Sequence, residues 1–187
     1  FEIALLNPSD WTAQWIGEPG DVSRESYVTG AAPYFRTTFT LPKTAIEARA
    51  YATGLGFFEL YINGTRIGTE VLSPNQTDYD ERHLKRLLYP FTDHTRKRVL
   101  YKTFDVGSHV TVGANCIGMI LGNGWYNQRE RRVEGEMWYD SPRCIVQLEI
   151  VHHDGSRTTV VTNHTWKASS AVPIVHNGIF TGEVIDR

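Results

Sequence analysis

The sequence predicts an all-β fold, either an antiparallel β-sandwich or a jelly roll. Short segments in which apolar and polar residues alternate recur along the chain, and Asn-Gly and Asp-Gly pairs, which favour tight hairpin turns, follow two of them. The regular alternation of strands and helices that predicts a parallel sheet is absent from the pattern. Aromatic residues make up 12% of the sequence, which also favours strands.

The first strands are predicted in the first third of the chain. Alternation is clearest at Tyr34–Leu41, where every second side chain faces the same side, as in a half-buried strand. Residues 47–53 place three alanines on one face. Residues 58–62 alternate in the same way and lead into Asn63-Gly64, so a hairpin is predicted there.

The later strands follow the same pattern. Residues 143–151 and 157–161 are predicted to pair across Asp154-Gly155. One helical turn is predicted from Asp80, a capping residue, to Pro90, which would end it. Two further strands are predicted at residues 99–106 and 116–121.

Composition limits the classes of protein to which the chain can belong. It has 187 residues, of which 41% are hydrophobic and 21% charged, as in an ordinary globular domain, so residues 1–187 are predicted to form one domain. The formal net charge of -2 provides no broad positive surface, so nucleic acid is not an expected partner. No apolar run approaches the roughly 20 residues that span a bilayer, and no membrane partner is expected. The chain does not begin with Met, and we expect it to be a domain excised from a larger protein.

The two cysteines are predicted to be free thiols. Cys116 and Cys144 stand near the starts of two predicted strands. If those strands pair as antiparallel neighbours, the two residues lie roughly 15 Å apart, because a strand rises about 3.3 Å per residue. A disulfide requires Cα atoms within about 7 Å of each other.

A polar and aromatic loop is the strongest candidate site. It follows the predicted strand at residues 116–121 and extends to Asp140. Sugars present apolar C–H faces surrounded by hydroxyls, so their sites combine an aromatic ring with amide, carboxylate or guanidinium groups, all of which this loop contains. The alternative is that Trp125 and Trp138 seal one end of the sandwich. The candidate sugar-binding residues in this loop are Asn123, Trp125, Tyr126 and Asn127.

A second polar cluster spans residues 75–82. Asn75, Asp78 and Tyr79 are candidate neighbours of the same sugar site, and Asp78 is the candidate calcium ligand, since calcium prefers oxygen donors. The spacing differs from that of an EF-hand loop, and ordinary turn formation is the alternative. The seven histidines show no metal-binding spacing, and the adjacent pair His152-His153 is expected to point to opposite faces of a strand.

No complete catalytic site is predicted in this chain. The motifs of phosphate-binding loops and of serine nucleophiles are missing. Glycoside hydrolysis requires two opposed carboxylates roughly 5 to 10 Å apart. The acidic residues near Trp125 share a single loop, which rarely holds two carboxylates rigidly opposed; they are Glu130, Glu134, Glu136 and Asp140.

Two distinctive segments are Gly-Asn-Gly-Trp-Tyr at residues 122–126 and Gly-Glu-Val-Ile-Asp-Arg at residues 182–187. Together with further segments in the same order along the chain, they resemble the N-terminal region of bacterial α-L-rhamnosidases, and they are the most specific part of that resemblance. The resemblance covers nearly the whole chain. The other matching segments are Trp15-Ile16-Gly17, Phe35-Arg36 with Phe39, Leu60 to Gly64, Leu72-Ser73-Pro74, Thr77 to Tyr79, Phe104-Asp105-Val106, Gly113-Ala114-Asn115, Asp154-Gly155 and Trp166-Lys167.

This resemblance implies a galactose-binding-like jelly-roll sandwich that sometimes binds rhamnose with calcium. An (α/α)6 barrel elsewhere in the parent chain would supply the inverting carboxylates, so the parent would be a glycoside hydrolase and this region its accessory domain. A parent that degrades polysaccharide implies a periplasmic or extracellular location, and a rhamnose-containing glycan as partner. Two alternatives remain open: a structural sandwich that packs on the barrel without a ligand, and a free-standing lectin.

Overall fold

The computed structural model describes residues 4–18, 30–77, 79, 98–128 and 139–186. Nearly all the regular structure in these ranges is β-strand, with two short 3-10 turns at Pro8–Asp10 and Gly107–His109. No helix in the described ranges has the length and apolar character needed to cross a membrane. The strands are β1 (Ile16–Gly17), β2 (Tyr34–Leu41), β3 (Ala45–Leu55), β4 (Phe57–Ile62), β5 (Thr65–Ile67), β6 (Lys102–Asp105), β7 (Gly113–Gly122), β8 (Arg143–His152), β9 (Arg157–Val161), β10 (Lys167–Ser169), β11 (Ile174–Gly178) and β12 (Gly182–Ile185).

The strands form two antiparallel sheets and a separate ribbon. In the first sheet β3 lies between β6 and β8, while β1 and β9 pair with the other edge of β8. The second sheet has the order β10-β2-β7-β4-β5. Strands β11 and β12 pair with each other as a two-stranded ribbon. The predicted antiparallel sandwich is therefore confirmed.

The core lies between the two sheets and is made mainly of alternating residues of β2, β3, β4, β7 and β8. The three alanines of β3, at positions 48, 50 and 52, face it from the first sheet and are fully buried. Their small side chains leave room for larger apolar residues of the facing sheet, so the layers interdigitate. The larger residues from the second sheet are Phe35, Phe58, Leu60, Ile62, Ile117, Met119 and Leu121.

The outer face of the first sheet is covered by the N-terminal segment, so this sheet is more buried than the alternating pattern predicts. Gln147 of β8 is 1% exposed; its Oε1 accepts a hydrogen bond from the Thr12 backbone N–H (2.8 Å), and its Nε2 donates to the Asp10 carbonyl (3.0 Å). Tyr51 of β3, on the same face, is also buried and contacts the edge of the Tyr101 ring. The sequence pattern identified the inner face of β3 but not this second layer.

Both predicted hairpins are present. The β4–β5 hairpin turns at Asn63-Gly64, where both residues adopt positive φ, and the β8–β9 hairpin turns through Gly155, whose φ is +80°. The adjacent histidines do not share a strand as expected: His152 is the last residue of β8 and is buried, whereas His153 lies in the following turn and is exposed. The predicted helical turn at residues 80–90 lies outside the described residues.

The two cysteines are free, as predicted. The pairing of their two strands as antiparallel neighbours, which was assumed from the sequence, is wrong. Cys116 lies on β7 in the second sheet and Cys144 on β8 in the first, so their strands are not neighbours. Cys144 is completely buried in the core, and burial raises the pKa of its thiol far above the usual value. Cys116 is half-buried.

A glycine contact joins the two sheets at one end of the sandwich. Gly56, between β3 and β4, has φ of +101°, and a Cβ at this position would lie 2.9 Å from the Asn123 carbonyl oxygen and closer still to that of Gly122. The β3–β4 turn therefore packs backbone to backbone on the end of β7. Only glycine allows this approach.

We predict that Gly56→Ala lowers the free energy of unfolding by at least about 2 kcal/mol, because it combines backbone strain with a steric clash. Gly64→Ala is the matched control. It also has positive φ, at +80°, but no atom lies within 4 Å of the added Cβ. Strain alone should cost about 1 kcal/mol there. Urea unfolding of both variants measures the difference, and equal losses would contradict the close contact at Gly56.

Candidate functional site

The candidate site lies at the end of the sandwich where β7 finishes. The chain turns here through residues 123–128, directly beside the β3–β4 turn. Gly124 makes this turn possible, because it has φ of +51° and a Cβ there would lie 3.0 Å from the ring of Phe57. The structure brings five of the seven predicted residues into this region: Asn123, Trp125, Tyr126, Asn127 and Tyr79.

A buried amide network fixes the turn. Asn123 is 2% exposed, and its Nδ2 donates to the Asn177 carbonyl (2.9 Å) and to the Gly30 carbonyl (3.4 Å). Its Oδ1 accepts from Nδ2 of Asn127 (2.6 Å), and its backbone N–H donates to Oδ1 of Asn177 (2.7 Å). The side chains of Asn123 and Asn127 thus hydrogen-bond within the protein and position the turn.

Three tyrosines pack beside this network. Tyr126 stacks on Tyr139, with ring centroids 5.6 Å apart and planes 11° from parallel, and the edge of Tyr79 meets both rings. The Tyr139 N–H donates to the Tyr126 carbonyl (2.9 Å), so two residues 13 positions apart in sequence are directly bonded. Burial raises the pKa of Tyr79 to about 12, so its phenol stays protonated at neutral pH.

Trp125 forms an aromatic corner with Phe180. The ring centroids are 5.5 Å apart and the planes meet at 84°. Trp125 is half-buried, and Phe180, at the tip of the β11–β12 ribbon, is 42% exposed. The ribbon is held to the turn by Asn177 and extends an exposed ring beside the tryptophan. An aromatic surface therefore faces solvent at this end of the sandwich.

Of the remaining residues singled out from the sequence, the structure describes Asn75 and Asp140. Asn75 is exposed and lies two residues after Ser73, whose carbonyl accepts from the N–H of Phe58 at the start of β4 (2.8 Å). Asp140 forms an ion pair with Arg143 (2.8 Å). Several predicted residues lie outside the described ranges: Asp78, Glu130, Glu134, Glu136 and Trp138.

The calcium ligand predicted from the sequence, Asp78, stays a prediction. Within the part of the chain that the structure describes, no three or more His, Cys, Asp or Glu side chains stand close enough to hold a metal ion. The proposed calcium ligand, Asp78, is not among these residues.

Sequence reasoning missed Asn177, Phe180 and Gly30. All three are remote from the turn in sequence, with Asn177 separated from Asn123 by 54 positions. No spacing motif links such positions, because only the fold places the β11–β12 ribbon against the end of β7.

Comparison with known proteins identifies the family. The family model described as "Alpha-L-rhamnosidase N-terminal domain" matches residues 43–95 and 84–187. The chain belongs to this family of N-terminal domains. The resemblance drawn from the sequence is thereby confirmed.

Individual rhamnosidases match the domain over its full length. An α-L-rhamnosidase of Formosa agariphila is 33% identical over 100% of this chain, and one of Alteromonas sp. is 34% identical over 100%. In both cases the domain spans 19% of the relative. It is therefore similar to about a fifth of each enzyme.

Solved structures agree with this assignment. The α-L-rhamnosidase of Dictyoglumus thermophilum has a TM-score of 0.77 and 36% identity, covering 97% of this chain and 19% of that one. The Streptomyces avermitilis α-L-rhamnosidase complexed with L-rhamnose has a TM-score of 0.68 and 35% identity, covering 85% of this chain and 14% of that one. A lectin of Pleurotus ostreatus, with a TM-score of 0.53 and 20% identity, covering 93% of this chain and 38% of that one, shares the fold alone.

We predict that Asn177→Ala lowers the free energy of unfolding by about 1 to 3 kcal/mol, because it leaves the buried N–H of Asn123 without its acceptor. Asn75→Ala is the matched control, since it removes the same side chain from an exposed position and should change stability by less than about 0.5 kcal/mol. Denaturant unfolding compares the two. A loss for Asn177→Ala no larger than the control would contradict a structural role for this network.

Proposed function

We propose that this domain is a non-catalytic accessory module of an α-L-rhamnosidase and that its loop end binds L-rhamnose or a related sugar. The observation that carries the proposal is the aromatic corner of Trp125 and Phe180, held at the sandwich end by a buried network and exposed on one side. Sugar sites need such a surface to contact the apolar C–H face of the ring. The relative from Streptomyces avermitilis, whose structure contains L-rhamnose, supports the class of ligand.

The polar part of the site is proposed to come from the neighbouring residues 75–79. Exposed Asn75 offers an amide and Tyr79 a protonated phenol, both of which bond sugar hydroxyls. Asp78 would accept a hydroxyl proton or ligate calcium, which prefers oxygen ligands. Asn123 and Asn127 would act mainly by fixing Trp125, because their side chains already bond within the protein.

Catalysis is proposed to occur elsewhere in the parent protein. The domain corresponds to about a fifth of its relatives, which leaves room for a separate (α/α)6 catalytic domain. Asp140, the described carboxylate nearest the turn in sequence, is paired with Arg143. We therefore propose that residues 1–187 form one accessory unit of a glycoside hydrolase that acts in the periplasm or outside the cell.

A purely structural role is the second candidate, and one observation favours it. Every residue of β12 is exposed, including Val184 at 52% and Ile185 at 54%. Large apolar side chains on an isolated ribbon are typical of a surface that packs against another domain. In this alternative Phe180 covers Trp125 and no sugar binds.

Calorimetric titration with L-rhamnose separates these candidates. We expect binding by the 187-residue chain and a weakening of about tenfold or more, equal to about 1.4 kcal/mol, in Trp125→Ala. Ile46→Ala is the control, because it removes an exposed apolar side chain near the opposite end of β3. Parallel titrations with calcium and with a chelator, repeated for Asp78→Ala, test whether sugar binding requires calcium and whether Asp78 is its ligand. Absence of heat at millimolar sugar under both conditions would favour the structural role.

We also predict that the purified chain does not hydrolyse an aryl α-L-rhamnoside, because glycosidases need two opposed carboxylates on rigid supports. Release of the aryl alcohol is followed by absorbance over a long incubation. Turnover that disappears in Glu134→Gln or Glu136→Gln would contradict a non-catalytic role. Turnover that persists in both variants and after further purification would contradict it as well, whereas turnover lost on further purification comes from a contaminating enzyme.

A further inference from the structure

The outer face of the second sheet carries a second cluster of side chains, separate from the loop end. Strand registers place residues of five strands in one transverse row, in which each residue lies beside the next. Partners in an antiparallel register point to the same face. The row consists of Lys167, Arg36, Gly118, Tyr61 and Arg66.

Two like charges stand directly opposite each other in this row. Lys167 of β10 is the register partner of Arg36 of β2, and both are exposed. Neither side chain hydrogen-bonds or forms an ion pair within the part of the chain that the structure describes. Opposed like charges destabilise a strand pair. An anion seated between these two cations would remove that repulsion.

The third cation of the row is already neutralised. Nε of Arg66 lies 3.1 Å from Oε1 of Glu59, and the Tyr61 hydroxyl donates to Oε2 of the same carboxylate (2.7 Å). These contacts fix the position of the Tyr61 ring within the row. Arg36 and Lys167 are therefore the cations left to meet an anion.

Gly118 leaves a gap between Arg36 and Tyr61. Because neighbouring strands are about 4.8 Å apart, the Cα atoms of Arg36 and Tyr61 are separated by roughly 10 Å, with no side chain between them. This width accepts one pyranose ring lying over the backbone of β7. Tyr61 would contact the ring from one side and Arg36 from the other.

We propose that this face of the second sheet binds a carboxylate-bearing sugar unit. The planar guanidinium of Arg36 would hold the carboxylate through two parallel hydrogen bonds, with the ammonium of Lys167 beside it. The sugar ring would lie over Gly118 against Tyr61. The site is independent of the loop end, and its proposal does not rest on sugar binding there.

Matched ligands and variants test this proposal on the 187-residue chain. Amide chemical shifts are followed by NMR during titration with methyl β-D-glucuronide, and with methyl β-D-glucoside, which differs by a hydroxymethyl group in place of the carboxylate. We expect the glucuronide to shift resonances of β2, β7 and β10, and the glucoside to bind about tenfold more weakly or not at all. Arg36→Gln should weaken glucuronide binding by about tenfold. Arg157→Gln is the control, because it removes an exposed cation from the other sheet.

Lys167→Glu adds a second measurement, the melting temperature, which would not change if Lys167 did not interact with Arg36. It replaces the repulsion of Arg36 by attraction, so we expect a higher melting temperature together with loss of glucuronide binding. Equal binding of the two sugars, or glucuronide binding unchanged in Arg36→Gln, would overturn the proposal. Shifts of these resonances by a glutamate-rich peptide but not by the glucuronide would assign the face to an acidic protein segment instead. The outcome is separate from that for L-rhamnose, since the loop-end residues remain intact in every variant.

Discussion

The hydrogen bonds between Asn123 and Asn177 determine the arrangement of the candidate site. They join the end of β7 to the β11–β12 ribbon, which pairs with neither main sheet. An isolated two-stranded ribbon is marginally stable in water, so these buried contacts help to hold it in place, together with the hydrogen bond from the Ala32 N–H to the Ile174 carbonyl (3.0 Å). Through them Phe180 reaches Trp125, and the tip of the ribbon becomes part of the loop end.

The two sheets of the sandwich differ on their outer faces. The first is covered by the N-terminal segment, anchored by Gln147, and by the ring of Tyr101 on Tyr51. The second has exposed Arg36 and Lys167, with half-buried Gly118 and Tyr61 in the same row. The ends of the sandwich and the exposed part of the second sheet's outer face therefore offer surfaces for ligands. Both proposed sites lie on these surfaces.

Membership of the α-L-rhamnosidase N-terminal domain family gives these surfaces a context. The chain spans about a fifth of the length of these relatives, so most of each relative has no counterpart in it. Under the proposed function, a module that held a glycan near a separate catalytic domain would raise the local concentration of substrate there. The exposed apolar ribbon provides a surface suited to packing against such a neighbour.

The sequence by itself determined the class of fold, the principal strands and the two hairpins. Alternation reports which face of a strand is buried, and Asn63-Gly64 and Asp154-Gly155 mark turns through local backbone preferences. It also selected Trp125 and its neighbours, because they are close in the chain. Short sequence motifs that occur in the same order along the chain were enough to indicate the family.

Only the tertiary structure decided which strands pair and what each site residue contacts. Cys116 and Cys144 lie in different sheets because strands adjacent in sequence need not be neighbours in a sandwich, a choice that depends on long-range packing. Asn123 bonds with Asn177 across 54 positions, and Arg36 faces Lys167 across the β2–β10 pair. Contacts between distant segments leave no periodic signal, since they arise from the geometry of the folded sheets.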